Sequence, residues 1–134
     1  MTVRFHPIPG TILRVDLVDG FKNPEMGKRR PAVVLSSQLA GRPQLCAIVP
    51  LSTTVPRLVQ PWHHKVELDP PLPFPYDRPV MWAKCDMVLT VAFHRLRLLH
   101  DSRNPTGERQ YDIRVLSVDH MEAIRAGVRA ALGL

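Results

Sequence analysis

Fourteen prolines against seven glycines in 134 residues set the first limit on what this chain can fold into. Proline fixes φ and lacks a backbone N–H, so it is costly inside a helix or in the ladder of an interior strand. That density predicts short strands and stiff connections rather than long helices. Five prolines (Pro70, Pro71, Pro73, Pro75 and Pro79) crowd into residues 69–79. This stretch reads as an extended, polyproline-like segment crossing the surface.

Between the prolines, side-chain alternation marks the strands. Leu13, Val15 and Leu17 alternate with Arg14 and Asp16, the period of a half-buried strand. Residues 18–30 read as a polar loop, and loops of that length in a small protein are often functional. Residues 32–36 and 45–51 read as the second and third strands, with Gly41-Arg42-Pro43 turning the chain between them. Residues 64–68 follow as a fourth strand, and residues 80–83 and 87–91 as two more around Lys84-Cys85-Asp86. Residues 100–110 read as a polar turn region, and Tyr111, Ile113 and Val115 as a late strand. One helix is expected, at the C-terminus. Ser117 suits its N-cap and Asp119 its first turn, where negative charge is favoured. Met121, Ile124, Val128 and Leu132 fall on one helical face, with Arg125 and Arg129 toward the other. The expected class is mainly β with α added: one domain over residues 1–134, a small, strongly bent β-structure or barrel with a packed C-terminal helix.

Composition narrows the function classes. With 45% hydrophobic and 22% charged residues the chain reads as globular. No apolar run approaches the roughly 18 residues that span a membrane. The first residues lack the apolar stretch of a signal peptide, so the expected compartment is the cytoplasm. Cys46 and Cys85 make neither a disulfide framework nor a zinc site. His63 and His64 are adjacent, so on a strand they point to opposite faces and cannot share one metal ion. No cofactor or metal is called for. The net charge of +6 suits a polyanionic partner, nucleic acid first, or an acidic protein.

Three clusters could carry chemistry. In Glu25-Met26-Gly27-Lys28-Arg29-Arg30-Pro31-Ala32-Val33-Val34, Pro31 disfavours helix at Arg30 and forces a change from loop to strand. Arg30 is thus expected to be held where Lys28 and Arg29 are not, and a fixed guanidinium is a good phosphate ligand. A bare basic triplet is more often a solvated turn. The second cluster is Ser52-Thr53-Thr54, three hydroxyls where a buried strand runs out; such hydroxyls usually satisfy local backbone. The third, Trp82-Ala83-Lys84-Cys85-Asp86, sets an aromatic, a cation and an anion among small residues.

Taken together these motifs resemble the PemK/MazF toxins, the endoribonuclease components of bacterial toxin–antitoxin modules. The resemblance runs from Gly10-Thr11-Ile12-Leu13-Arg14-Val15-Asp16 through Glu25-x-Gly27-x-x-Arg30-Pro31-Ala32-Val33-Val34-Leu35-Ser36. It continues through Ala47-Ile48-Val49-Pro50-Leu51-Ser52-Thr53 and Lys84-Cys85-Asp86 to Thr90-Val91 and Arg95-Leu96. It implies an SH3-like barrel, usually a homodimer, that cuts single-stranded RNA without a metal through attack of the RNA's own 2′-OH. By that resemblance Arg30 stabilises the phosphate, Thr53 pairs with it there, Asp86 is the general base, and Lys84 is the acid or clamp. Glu25, Lys28, Arg29, Ser52, Thr54 and Trp82 are the further RNA-binding candidates. A cognate acidic antitoxin is implied as partner, and residues 69–79 could form one wall of its groove. Met87 and Leu89 stand where many members carry glutamine and arginine. That departure keeps two other readings of the scaffold open: a growth inhibitor acting by protein contact, like the related gyrase inhibitors, and an RNA-binding homologue that no longer cleaves.

Overall fold

The computed structural model describes residues 3–101 and 110–134. Its core is an antiparallel sheet of seven strands: β1 (Ile12–Asp16), β2 (Arg29–Val34), β3 (Leu45–Ser52), β4 (His63–Glu67), β5 (Val80–Lys84), β6 (Leu89–Ala92) and β7 (Leu96–Arg97). The order is β4-β5-β3-β2-β1-β7, with β6 also paired to β3. Two short strands, β8 (Leu99–His100) and β9 (Tyr111–Asp112), make a separate ribbon, and α1 (Val118–Leu132) closes the chain. Among the described residues the end strands β4 and β7 do not pair, so the expected barrel takes the form of an open, bent sheet.

The bend follows from β3. One edge of this eight-residue strand pairs β2 from Ile48 to Pro50. Its other edge pairs β6 from Leu45 to Ile48, then β5 at Leu51 and Ser52. Pro50 falls at that handover, where its missing N–H interrupts neither ladder. Pro31 likewise lies one residue outside the β2–β3 ladder, which starts at Ala32 opposite Pro50.

Both faces of the sheet are apolar, because buried residues alternate onto each side. One face carries Ile12, Val33, Val49, Leu51, Met81 and Ala83, and packs against Leu72, Leu116, Met121 and Ile124. The other carries Leu13, Val15, Ala32, Val34, Cys46 and Ile48, and packs against Val91, Phe93 and Leu96. Fully burying an aliphatic side chain of this size contributes roughly 1.5–3 kcal/mol. Strands covered on both faces thus secure the platform on which the loops are mounted.

Several boundaries differ from expectation for identifiable reasons. β2 begins at Arg29, not Ala32, because it pairs β1 as far as Arg29 opposite Asp16. Cys85–Met87 is a 3-10 turn, so the following strand starts at Leu89. Of the late strand only Tyr111–Asp112 pairs regularly, while Val115 makes an isolated bridge to Thr11. The expected turn over residues 100–110 falls mostly on 102–109, outside the described residues. Residues 69–79 form no strand, as expected, yet they deliver Leu72 into the core.

The helix starts as expected: the Ser117 side chain accepts a hydrogen bond from the His120 backbone N–H at 3.2 Å. Its packed face carries Met121, Ile124 and Val128 as expected but not Leu132, and Gly127 joins it. Met121, Ile124 and Gly127 are buried, Val128 is half-buried and Leu132 is exposed. Gly127 sets the contact. A Cβ there would lie 2.8 Å from Cys85 Sγ and 3.0 Å from Cys85 Cβ, so only glycine lets the helix lie this close to the 3-10 turn. Burial pushes the thiol of Cys85 up to about 11, leaving it a packing group.

Candidate nucleic-acid interface

Alternation along a strand decides where the cations go. Arg30 shares the face of Ala32 and Val34, so it emerges beside the second apolar cluster. The registers Ala32 opposite Pro50, Ser52 opposite Trp82, and His63 opposite Lys84 carry the same face across β3, β5 and β4. Arg30, Ser52, Trp82 and Lys84 therefore stand on one side of the sheet, each half-buried. The antiparallel pairing also puts the start of β2 and the end of β3 at the same end of the sheet. Thr53 and Thr54 follow there in an exposed bend.

Arg29 and Lys28 behave differently. Arg29 points to the other face and donates from Nε to Asp16 Oδ2 at 3.0 Å. It is a strand residue with a partner, not the loop cation expected. The hydrogen bond from the Val18 N–H and the Arg29 guanidinium hold the Asp16 carboxyl below its ordinary value. Lys28 stays in the loop and is exposed.

A cavity of about 470 Å³ opens under the β1–β2 loop, lined by Phe21, Asn23, Pro24, Glu25, Met26, Gly27, Lys28 and Arg30. Arg30 is its strand-borne cation. The Arg30 Nε is buried without a hydrogen-bond partner, and Arg30 makes no ion pair among the described residues. Burial lowers its pKa from the ordinary arginine value. The guanidinium stays charged regardless, and an anionic ligand would offset the desolvation. A second depression of about 210 Å³ adjoins it, lined by Phe21, Glu25, Met26, Asp86, Met87, Val88 and Leu89. Phe21, Glu25 and Met26 border both. The structure thus brings Arg30, Lys28 and Glu25 into one cavity and Asp86 into its neighbour.

The hydroxyls are partly occupied locally. Ser52 Oγ accepts from the Thr54 N–H at 3.1 Å, which shapes the bend and leaves Thr53 exposed beyond it. Trp82 keeps its indole Nε1 buried without a partner. The histidines separate as expected. His63 Nδ1 accepts from the Gln60 N–H at 3.0 Å, while His64 Nε2 meets Nδ1 of His120 on α1 at 2.8 Å. Burial first, then the neighbouring His120, holds the His64 pKa below its ordinary value. Among the described residues no group of three or more His, Cys, Asp or Glu side chains could hold a metal ion.

Arg95 belongs to the matched Arg95-Leu96 pair, but the sequence assigned it no role. It reaches back 79 and 76 residues to donate from Nη1 to the carbonyls of Asp16 at 3.1 Å and Asp19 at 3.0 Å. Its guanidinium lies 4.9 Å from the centre of the Phe21 ring. Together with the Leu17 N–H bonded to the Lys28 carbonyl at 3.3 Å, this pins the root of the loop that roofs Arg30. Nothing local in the sequence announces a contact of that range.

Fold and site define a small antiparallel-β protein with a cavity at one end of its sheet, lined by a half-buried arginine whose Nε has no partner. Residues 8–132 match the model of the PemK-like, MazF-like toxins of type II toxin–antitoxin systems, and the chain belongs to that family. Solved structures agree on the fold. A MazF from Deinococcus radiodurans is 17% identical with a TM-score of 0.64, covering 98% of this chain and 100% of its own. An endoribonuclease in complex with its cognate antitoxin, from a mycobacterial species, is 21% identical with a TM-score of 0.62 and 96% of each chain covered. The Mycobacterium tuberculosis toxin MazF-mt6 is 16% identical with a TM-score of 0.56, covering 95% and 98%. No curated protein matches the sequence. No described helix is long and apolar enough to cross a membrane.

Proposed function

We propose that this toxin is an endoribonuclease cutting single-stranded RNA by attack of the substrate's own 2′-OH, with the scissile phosphate at Arg30. The observation that carries this reading is Arg30 itself: a half-buried guanidinium with an unpartnered Nε, held by a strand at the rim of a 470 Å³ cavity. Transesterification needs positive charge on the crowded phosphate, a base for the 2′-OH and an acid for the leaving 5′-oxygen. Arg30 supplies the charge and the Thr53 hydroxyl a second contact to the phosphate. Asp86 takes the 2′-OH proton. The 2′-oxygen then bonds to phosphorus, the bond to the 5′-oxygen breaks, and Lys84 donates the proton that leaves a 5′-OH beside a cyclic phosphate. Glu25 is a second candidate base, because its residue lines both Arg30's cavity and Asp86's depression.

Lys28, Ser52, Thr54 and Trp82 hold the flanking RNA, with Trp82 available for stacking, worth roughly 1–3 kcal/mol per base. An acidic antitoxin suits the +6 charge, and one related structure is an endoribonuclease in complex with its cognate antitoxin. We read the active form as a cytoplasmic homodimer. Cleavage of a single-stranded RNA panel by wild type, Arg30→Ala and Thr53→Ala tests the assignment. Each variant should lose about 10²-fold or more; undiminished cleavage by both would show that the site lies elsewhere. Growth arrest with the RNA panel intact would favour inhibition by protein contact.

A further inference from the structure

On the opposite face of the sheet from Arg30 lies a second cleft, of about 220 Å³, lined by Arg14, Arg29, Phe74, Pro75, Tyr76, Leu98, Leu99 and His100. Its floor is strand. Arg14 on β1 and Arg29 on β2 share the face of Ile12 and Val33 through the register Arg14 opposite Pro31. Its wall is the Pro-rich segment. Arg114 holds that segment in place by donating to the carbonyls of Pro70 and Pro71, while pairing with Asp112 at 2.7 Å. Its far side is His100 on β8, set edge-on to Tyr111 of β9.

Two polar atoms of this lining, Arg14 Nε and His100 Nδ1, are buried without a hydrogen-bond partner. The carboxylate of Asp16 engages only Nε of Arg29, leaving its two amino groups available at the cleft. Two guanidinia, an imidazole and two aromatic rings converging on so small a space fit one phosphate and one flat ring. Pockets for whole drug-sized ligands run to about 300–1,000 Å³, so this one suits a single nucleotide. The Pro-rich wall supplies both rings, which gives the insert a purpose its polyproline character alone does not.

We infer that this cleft is a nucleotide subsite that takes one nucleotide of the RNA beyond the scissile phosphate, with its phosphate between Arg14 and Arg29 and its base against Phe74 and Tyr76. The inference rests on the reading that RNA is the substrate. Arg29 and Arg30 are consecutive, so this cleft and the Arg30 cavity lie on the two faces of one strand.

The probe is a fluorescein-labelled mixed-sequence oligonucleotide, 2′-O-methylated throughout so that it cannot be cut by 2′-OH attack, followed by anisotropy over a salt series. Arg14→Gln should weaken binding about tenfold and reduce the salt slope by about one. Arg14→Lys should keep the slope. Tyr76→Leu should weaken binding at unchanged slope. Wild-type affinity and slope in Arg14→Gln and Tyr76→Leu would overturn the subsite. Uridine 5′-monophosphate bound at this cleft without any effect of the variants on the oligonucleotide would make it a free-nucleotide site instead. Should Arg14→Gln fail to fold, a 4-thiouridine oligonucleotide photocrosslinked to wild type should mark a peptide containing Phe74 and Tyr76; crosslinks confined to the Arg30 face would overturn the subsite. The two readings fail separately. Normal cleavage by Arg30→Ala with weakened binding by Arg14→Gln removes the cleavage assignment alone, and the converse removes the subsite alone.

Discussion

Arg29 and Arg30 are neighbours in sequence and stand on opposite faces of β2: Arg29 is bonded to Asp16 at 3.0 Å, and Arg30 faces the loop-covered cavity with its Nε unpartnered. This division of labour predicts unequal mutants. Arg30→Ala should reduce kcat about 10²-fold or more while leaving the melting temperature near wild type. Arg29→Ala should leave kcat on a minimal substrate nearly unchanged, since Arg29 is bonded to Asp16 on the other face and does not line the Arg30 cavity. Single-turnover kinetics on one short RNA separates the two.

Arg95 predicts a loop effect at a distance. Arg95→Ala removes both hydrogen bonds to the Asp16 and Asp19 carbonyls and the contact with Phe21. Hydrogen exchange should rise across residues 17–28, and KM should increase severalfold before kcat changes. Arg95→Lys should restore both only in part: the two bonds come from Nη1 alone, which an ammonium can imitate, but the flat guanidinium over the Phe21 ring is lost. Exchange confined to the neighbourhood of residue 95 would argue against an anchoring role.

Gly127→Ala should destabilise the protein by about 1–3 kcal/mol through overpacking, because the added methyl would stand 2.8 Å from Cys85 Sγ. Cys85→Ala in the same chain should recover part of that loss. A thermal melt of the single and double variants reads this directly; additive losses would mean that the two groups do not meet.

The His64–His120 pair predicts acid sensitivity. Folding holds the His64 pKa below its ordinary value, so the unfolded chain takes up that proton first. Stability is therefore full above the usual histidine range, near pH 6.5, and falls as pH drops through the folded value. His64→Gln should flatten the melting temperature between pH 7 and 5 relative to wild type. An unchanged pH profile would show that the pair is not coupled to folding.

Much of this was legible locally. The Leu13, Val15 and Leu17 alternation, the Ser117 cap and the loop-to-strand change before Pro31 each depend on neighbours a few residues away, and each is found in place. What could not be read depends on register and long-range packing. The strand extension that turns Arg29 away from Arg30 requires knowing that Asp16 lies opposite. The helix contact at Gly127 against Cys85 was not legible either, because apolar spacing pointed to Leu132, which is exposed. The sharing of Glu25 between two cavities and the grip of Arg95 arise only once the loop is folded back.

The most direct test of the central claim is sequencing of RNA 5′-OH ends after brief induction of wild type and Arg30→Ala in growing cells. The account predicts new 5′-OH ends at a recurring sequence within single-stranded regions for wild type, and their loss in Arg30→Ala at equal protein level. Growth arrest without new ends, or the same ends from both proteins, would contradict it.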